Sequence, residues 1–224
     1  MSHDPLFPPL AQAARAREYP DDPATLDRLL RWMDAVLEAN RQVNLTAAKS
    51  REQALDGLLL SALAVTRAVD SPPAIVVDLG TGNGLPGIAA ALAWPDAQVV
   101  LLERRHKKGE AVARLLATQG VANAEVIVAD GRELLRECPA LAGAVDLVTV
   151  RAVGPLGATT EVAAPWLAPG GRIAHWKGRA LADDELETGR RTASRLGLGP
   201  LVVLRFEDRA GPAHLVCYER KGEG

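Results

Sequence analysis

The stretch IVVDLGTGNGLPG, residues 75–87, decides the fold. An apolar run ends at Asp78 and Leu79, and Gly80, Gly82, Gly84 and Gly87 follow within eight residues. Glycine loses more conformational entropy on folding than any other residue, so such a cluster needs a physical reason. Either the turn demands unusual backbone, or something approaches the main chain more closely than a Cβ permits. A plain strand-to-helix turn uses one or two glycines. Four of them point to a ligand cradled by backbone N–H groups.

Outward from this loop, short apolar runs alternate with helical stretches. Strands are expected at 75–79, 98–103, 124–129, 145–150, 172–176, 201–207 and 213–219, with helices near 85–93, 107–119, 131–137, 155–167 and 183–195. Strands joined by crossover helices make a doubly wound, mostly parallel α/β sheet of seven strands. The last two runs are separated by about five residues around Arg209, too few for a parallel crossover, so they form a C-terminal antiparallel hairpin.

The region before the sheet reads as an N-terminal helical extension, 1–72, ahead of a cofactor-binding domain, 73–224. Asp22-Pro23 offers an N-cap with proline at the first helical position. Leu26, Leu29, Leu30, Met33, Val36 and Leu37 follow at helical spacing. Ser50 with Gln53 forms a capping box for a second helix running to about Val69.

Composition narrows the function. The 224 residues carry a net charge of −2, so a nucleic-acid partner must be held by a local basic patch. Aromatic residues are 4% of the chain, too few for a base-stacking surface. Cys138 and Cys217 make neither a disulfide framework nor a metal cluster, and His3, His106, His175 and His214 have no metal-ligand spacing. With no signal peptide and no apolar run of about 18 residues, the expectation is a cytoplasmic monomer with no membrane and no metal.

Ligands of an open α/β sheet sit beyond the carboxyl ends of its strands. Gly82-Asn-Gly84-Leu-Pro-Gly87 satisfies the dinucleotide pattern G-x-G-x-x-G, which leaves an NAD(P)-dependent oxidoreductase open. Asp78 argues against it, because a carboxylate there repels a pyrophosphate and attracts an ammonium. Glu103 ends the second strand, where it accepts from ribose hydroxyls. Asp130 ends the third, placed to meet an adenine amino group, with Gly131 and Arg132 beside it. Each acid alone would serve as a helix N-cap. Together the three suit a cationic, phosphate-free nucleoside, S-adenosylmethionine, cradled by Gly80, Gly82, Gly84 and Leu85.

The fourth strand ends in TVRAVGP, without the Asn/Asp-Pro-Pro-aromatic tetrad of amino-methylating enzymes. Cys138 precedes that strand and is misplaced for a cytosine C5 nucleophile. These absences favour an acceptor that is already nucleophilic, such as a purine N7, with Arg151 as the catalytic, orienting side chain.

At this point the chain resembles a known family. GTGNGLPG, Lys107-Lys108, RAVGP at 151–155, HWKG at 175–178 and the closing AHLVCYERK are similar to RsmG, also called GidB. NRQVNLTA is similar to that family's W-N-x-x-x-N-L-T segment, with Ala39 where tryptophan is usual. The resemblance implies a methyltransferase acting on guanine N7 of 16S rRNA in the small ribosomal subunit. It also implies that Gly80, Leu85, Gly131, Arg132 and Arg151 contact the methyl donor and that Lys177 belongs to an RNA face. The family's R-H-x-x-D-S signature is replaced here by ALDGLLLSAL, which retains Ser61, and the arginine of its final R-H-L-V strand is Ala213. Arg104, Arg105, Lys107, Lys108, Lys177 and Arg179 are the expected RNA-binding residues. The altered 56–60 segment leaves open a non-catalytic RNA-binding module that keeps the fold.

Overall fold

A computed structural model describes residues 3–178, 181–208 and 211–222. The N-terminal helices start where local chemistry says they should. Helix α1 (Phe7–Ala16) has proline in its first turn. Helix α2 (Pro23–Ala39) is capped by the Asp22 carboxylate, which accepts from the Thr25 N–H at 2.9 Å. It buries Leu26, Leu29, Leu30, Trp32, Met33 and Val36 along one stripe.

Ser50 caps the next start as expected, accepting from the Gln53 N–H, but the single helix to Val69 does not form. In its place stand α3 (Arg51–Ala54), a π-helical turn (Leu55–Leu59), α4 (Leu60–Leu63) and a 3₁₀ turn (Ala64–Arg67). The widened turn contains Gly57, and side chains now use its carbonyls. The Ser61 hydroxyl lies 3.3 Å from the Gly57 oxygen and 3.1 Å from that of Leu58.

The sheet alternates as the sequence implies. Its elements are β1 (Ile75–Leu79), α5 (Gly87–Ala93), β2 (Gln98–Leu102), α6 (His106–Gln119), β3 (Ala124–Ile127), α7 (Leu134–Glu137) and β4 (Val145–Arg151). Then come α8 (Leu156–Ala163), β5 (Leu167–Lys177), α9 (Asp183–Arg195), β6 (Val202–Asp208) and β7 (Gly211–Glu219). Strand order is β3-β2-β1-β4-β5-β7-β6. Strands β1 to β5 run parallel, and β7 runs antiparallel to both β5 and β6, giving the expected hairpin. Strand β5 begins five residues before the expected Arg172, because a register shift between Val145 and Leu147 extends its pairing back to Leu167.

Period-two alternation sends neighbouring side chains to opposite layers. Val76, Val99, Leu101 and Leu147 join a core with α1, α2, α4, α5 and α6. Val77, Val100, Val148 and Ile173 join a second core with α7, α8 and Trp166. The N-terminal helices therefore share one continuous apolar layer with α5 and α6 and lie against the sheet that carries the glycine loop.

Candidate active site

Order reverses between β1 and β4, because their crossovers leave in opposite directions. A cavity of about 540 Å³ opens beyond the carboxyl ends of these strands. That is an ordinary size for a small-molecule site. Its wall brings together Gly80, Gly82, Leu85, Glu103, Asp130, Gly131, Arg132 and Arg151 from four successive strand ends.

The loop glycines have separate reasons. A Cβ at Gly84 would lie 2.5 Å from the Trp32 ring, and the φ of +91° disfavours any side chain. Trp32 also donates its indole N–H to the Asn83 carbonyl at 3.0 Å, so α2 braces this turn. Gly84 thus faces the N-terminal helix and does not line the cavity, which corrects its expected cofactor contact. Gly87 gives way to Leu101 and Asp78, 2.3 and 2.9 Å from where its Cβ would be. A Cβ at Gly80 would lie 2.6 Å from a Val153 methyl, so the residue gives way to a side chain of the neighbouring loop at the cavity wall. Only Gly82, at φ +59°, leaves open space: the nearest atom to its missing Cβ is the Gly80 carbonyl oxygen at 3.8 Å.

Asp78 also departs from expectation. It is buried beneath the loop, accepting from the Thr149 hydroxyl at 2.6 Å and the Gly87 N–H at 3.2 Å, and it does not reach the cavity. Burial raises its pKa, opposed by these hydrogen bonds and by the charge of Arg151. Its work is to tie β1, β4 and α5 together under the site.

Glu103 lines the wall and organises it. One carboxylate oxygen accepts from the Gly82 N–H at 3.2 Å and the other from the Arg105 N–H at 2.8 Å. Asp130 caps the turn behind β3 by accepting from the Arg132 N–H at 3.0 Å. Arg151, half-buried at the end of β4, donates from Nη1 to the Ser61 hydroxyl at 3.0 Å. Burial lowers the pKa of its guanidinium and the Asp78 charge raises it. No carboxylate pairs directly with it among the described residues.

The basic residues divide. Arg104, Arg105 and Lys108 stand at the cavity rim, and Lys107 is exposed one residue outside it on α6. Lys177 does not join them. Its ammonium donates to the Gly154 carbonyl at 3.0 Å and to Glu185 at 2.7 Å, and Glu185 in turn accepts from the Leu156 N–H at 3.1 Å. This corrects its expected place on an RNA face: the lysine is committed to the loop after β4. Arg179 lies outside the described residues.

Sequence reasoning missed the opposite wall, formed by Leu45, Thr46 and Ala47 with Leu58, Val153, Thr159 and Val162. Asn40 folds the first of these segments, accepting from the Leu45 and Thr46 N–H groups and donating to the Thr46 carbonyl. The polar break after α2 was the available signal, since a side-chain amide there can stand in for a missing backbone partner. Below the cavity, His175 is fully buried between the Thr159 and Thr160 hydroxyls, at 3.3 and 3.2 Å. Burial, with the Lys177 charge, holds its pKa down at about 3.

The family model of GidB, described as rRNA small subunit methyltransferase G, matches residues 25–212. The chain belongs to this family. The ribosomal RNA small subunit methyltransferase G of Mycobacterium sp. strain KMS is 35% identical over 178 residues, 78% of this chain and 76% of the relative. The one from Halorhodospira halophila is 30% identical over 189 residues, 84% and 87% of the two chains. Among solved structures, cofactor-bound Rv0187 from MTB shares 27% identity at a TM-score of 0.59, covering 91% and 98% of the two chains. The O-methyltransferase TomG from Streptomyces achromogenes, in complex with SAM, is 20% identical at a TM-score of 0.61 over 99% of this chain and 100% of that one. Likeness at that identity shows the fold alone, that of class I methyltransferases. For a GidB chain, the cavity coincides with the strand ends at which ligands of such sheets bind.

Proposed function

We propose that this chain transfers a methyl group from S-adenosylmethionine to N7 of a guanine in 16S rRNA of the small ribosomal subunit. The family match across residues 25–212 carries this reading. The donor set fits the cofactor: Gly82 leaves open backbone, Glu103 offers a carboxylate to the ribose side, and Arg151 presents a guanidinium with no ion-pair partner among the described residues. S-adenosylmethionine supplies a methyl group on a cationic sulfonium, which a lone pair can displace in line.

The lining residues support an acceptor that needs no deprotonation. No histidine, cysteine or tyrosine lines the cavity among the described residues, and both carboxylates there already accept backbone N–H groups. Guanine N7 carries a free lone pair, so the chain's task is to hold the acceptor, exclude water and fix the geometry. Leu45, Leu58 and Val153 form the apolar wall that excludes water. Arg104, Arg105, Lys107 and Lys108 meet the phosphates beside the target base.

In this reading the enzyme works in the cytoplasm as a monomer and without a metal. Residues 1–72 act as a helical extension that braces the catalytic unit, 73–224. No helix among the described residues is long and apolar enough to cross a membrane. The test is methyl incorporation into small subunits and naked 16S rRNA, with mass mapping of the product. Single-turnover rates should stay flat between about pH 6 and 8.5, because no general base titrates there. A steep rise across that window, or a methyl group at any other atom, would overturn the N7 assignment.

A further inference from the structure

Arg151 ends β4, whereas Ser61 belongs to the N-terminal helices, 90 residues earlier in the chain. The two meet because α4 is pinned over the sheet. Trp176 on β5 donates its indole N–H to the Ser61 carbonyl at 2.7 Å. The π-helical turn before α4 leaves the Leu58 and Gly57 carbonyls facing the Ser61 hydroxyl, at 3.1 and 3.3 Å. A hydroxyl has one proton to donate and lone pairs to accept with. With its proton directed to these carbonyls, the Ser61 oxygen can only accept from the Arg151 Nη1 at 3.0 Å. The same Nη1 also reaches the Leu58 carbonyl at the longer distance of 3.5 Å, so the guanidinium is fixed at one corner, with Ser61 the closer partner, while no ion pair among the described residues occupies the rest of its donor fork.

From this we infer that Ser61 is a positioning residue: it holds the Arg151 guanidinium so that its remaining donors meet the carboxylate of the methyl donor's amino-acid tail. The inference rests on the S-adenosylmethionine reading above. A planar fork matches a carboxylate in two parallel hydrogen bonds only when its orientation is set, so one fixed corner determines how well the other donors are aimed. The turn that carries Gly57 and Leu58 is then part of the site, since its carbonyls take the Ser61 proton and leave the hydroxyl oxygen to accept.

The experiment is calorimetry on the full chain with two probes, S-adenosylhomocysteine and 5′-methylthioadenosine, which lacks the amino-acid tail. Ser61→Ala should weaken S-adenosylhomocysteine about tenfold and leave 5′-methylthioadenosine unchanged, the effect of one misaligned charge-assisted hydrogen bond. In an Arg151→Ala background, Ser61→Ala should cost nothing further, because the pair acts as one unit. Equal loss of both probes, no loss of either, or additive losses in the double variant would overturn the inference. A parent chain that binds neither probe would instead overturn the cofactor reading, which separates the two failures.

Discussion

Two loops that follow the adjacent strands β1 and β4 line the cavity and are held by different means. The glycine loop after β1 is held chiefly through its own main chain: its N–H groups bond to Asp78, Glu103 and neighbouring carbonyls, its Asn83 carbonyl accepts from Trp32, and its glycines yield space to Trp32, Leu101 and Val153. The loop after β4 is held by side chains from far away: Ser61 at Arg151, Lys177 at Gly154, and Glu185 at Leu156. It also carries Ala152 at φ +56°, a conformation an alanine keeps only when its surroundings enforce it. Backbone-built geometry writes itself into local sequence. Geometry built by remote side chains does not.

The largest expected effect breaks the second loop. Arg151→Ala should lower single-turnover methyl transfer by about a hundredfold or more, since misplacing a bound reactant by an ångström costs that much. Cys138→Ser, outside the cavity, should leave the rate near that of the parent. Equal rates for all three proteins would mean that the arginine does not act on the reaction.

Gly84→Ala should break the first loop through stability. A Cβ 2.5 Å from Trp32 in left-handed backbone should cost about 2–4 kcal/mol in urea unfolding. Gly120, left-handed but with nothing near its missing Cβ, should cost only about 1–2 kcal/mol when changed to alanine. Similar losses at both positions would remove the Trp32 clash from the explanation.

His175 sharpens the comparison through pH. Its folded pKa of about 3 lies below the ordinary imidazole value of 6.5, so the unfolded chain takes up a proton that the folded chain refuses. Its contribution is present above about pH 6.5 and is lost as pH falls toward 3. Between pH 7 and pH 5 the loss should reach about 2 kcal/mol, and His175→Asn should flatten that slope. An unchanged slope in the variant would assign the acid sensitivity elsewhere.

Smaller effects separate the clamp from the basic rim. Lys177→Met should slow methyl transfer about tenfold while leaving the salt dependence of RNA binding intact, because its charge serves Gly154 and Glu185. Lys107→Ala with Lys108→Ala should do the reverse, lowering the log–log salt slope by roughly one unit for each phosphate no longer neutralised. A flattened slope for Lys177→Met would return that lysine to the RNA face.

This contrast explains what the sequence disclosed. Strand and helix order, the C-terminal hairpin and the position of the ligand loop were legible because alternation, caps and glycines act within a few residues of themselves. Asp78 was misread because its distance from a ligand depends on Thr149 and Gly87 closing over it, which no spacing reveals. Lys177 was misread for the same reason, its partners lying 23 residues before and 8 residues after it. The π-turn at 55–59 escaped because its own residues read as ordinary helix, and the side chains that reach Leu58 and Ser61 lie far away on β4 and β5.

The hydrogen bond from Trp32 to Asn83 makes one proton a reporter. The indole is buried, and its N–H can exchange with solvent only when α2 lifts from the glycine loop. The exchange rate of that single proton therefore counts how often the helix and the loop part. A ligand that settles on the loop and tightens it should slow the exchange by the factor it adds to stability.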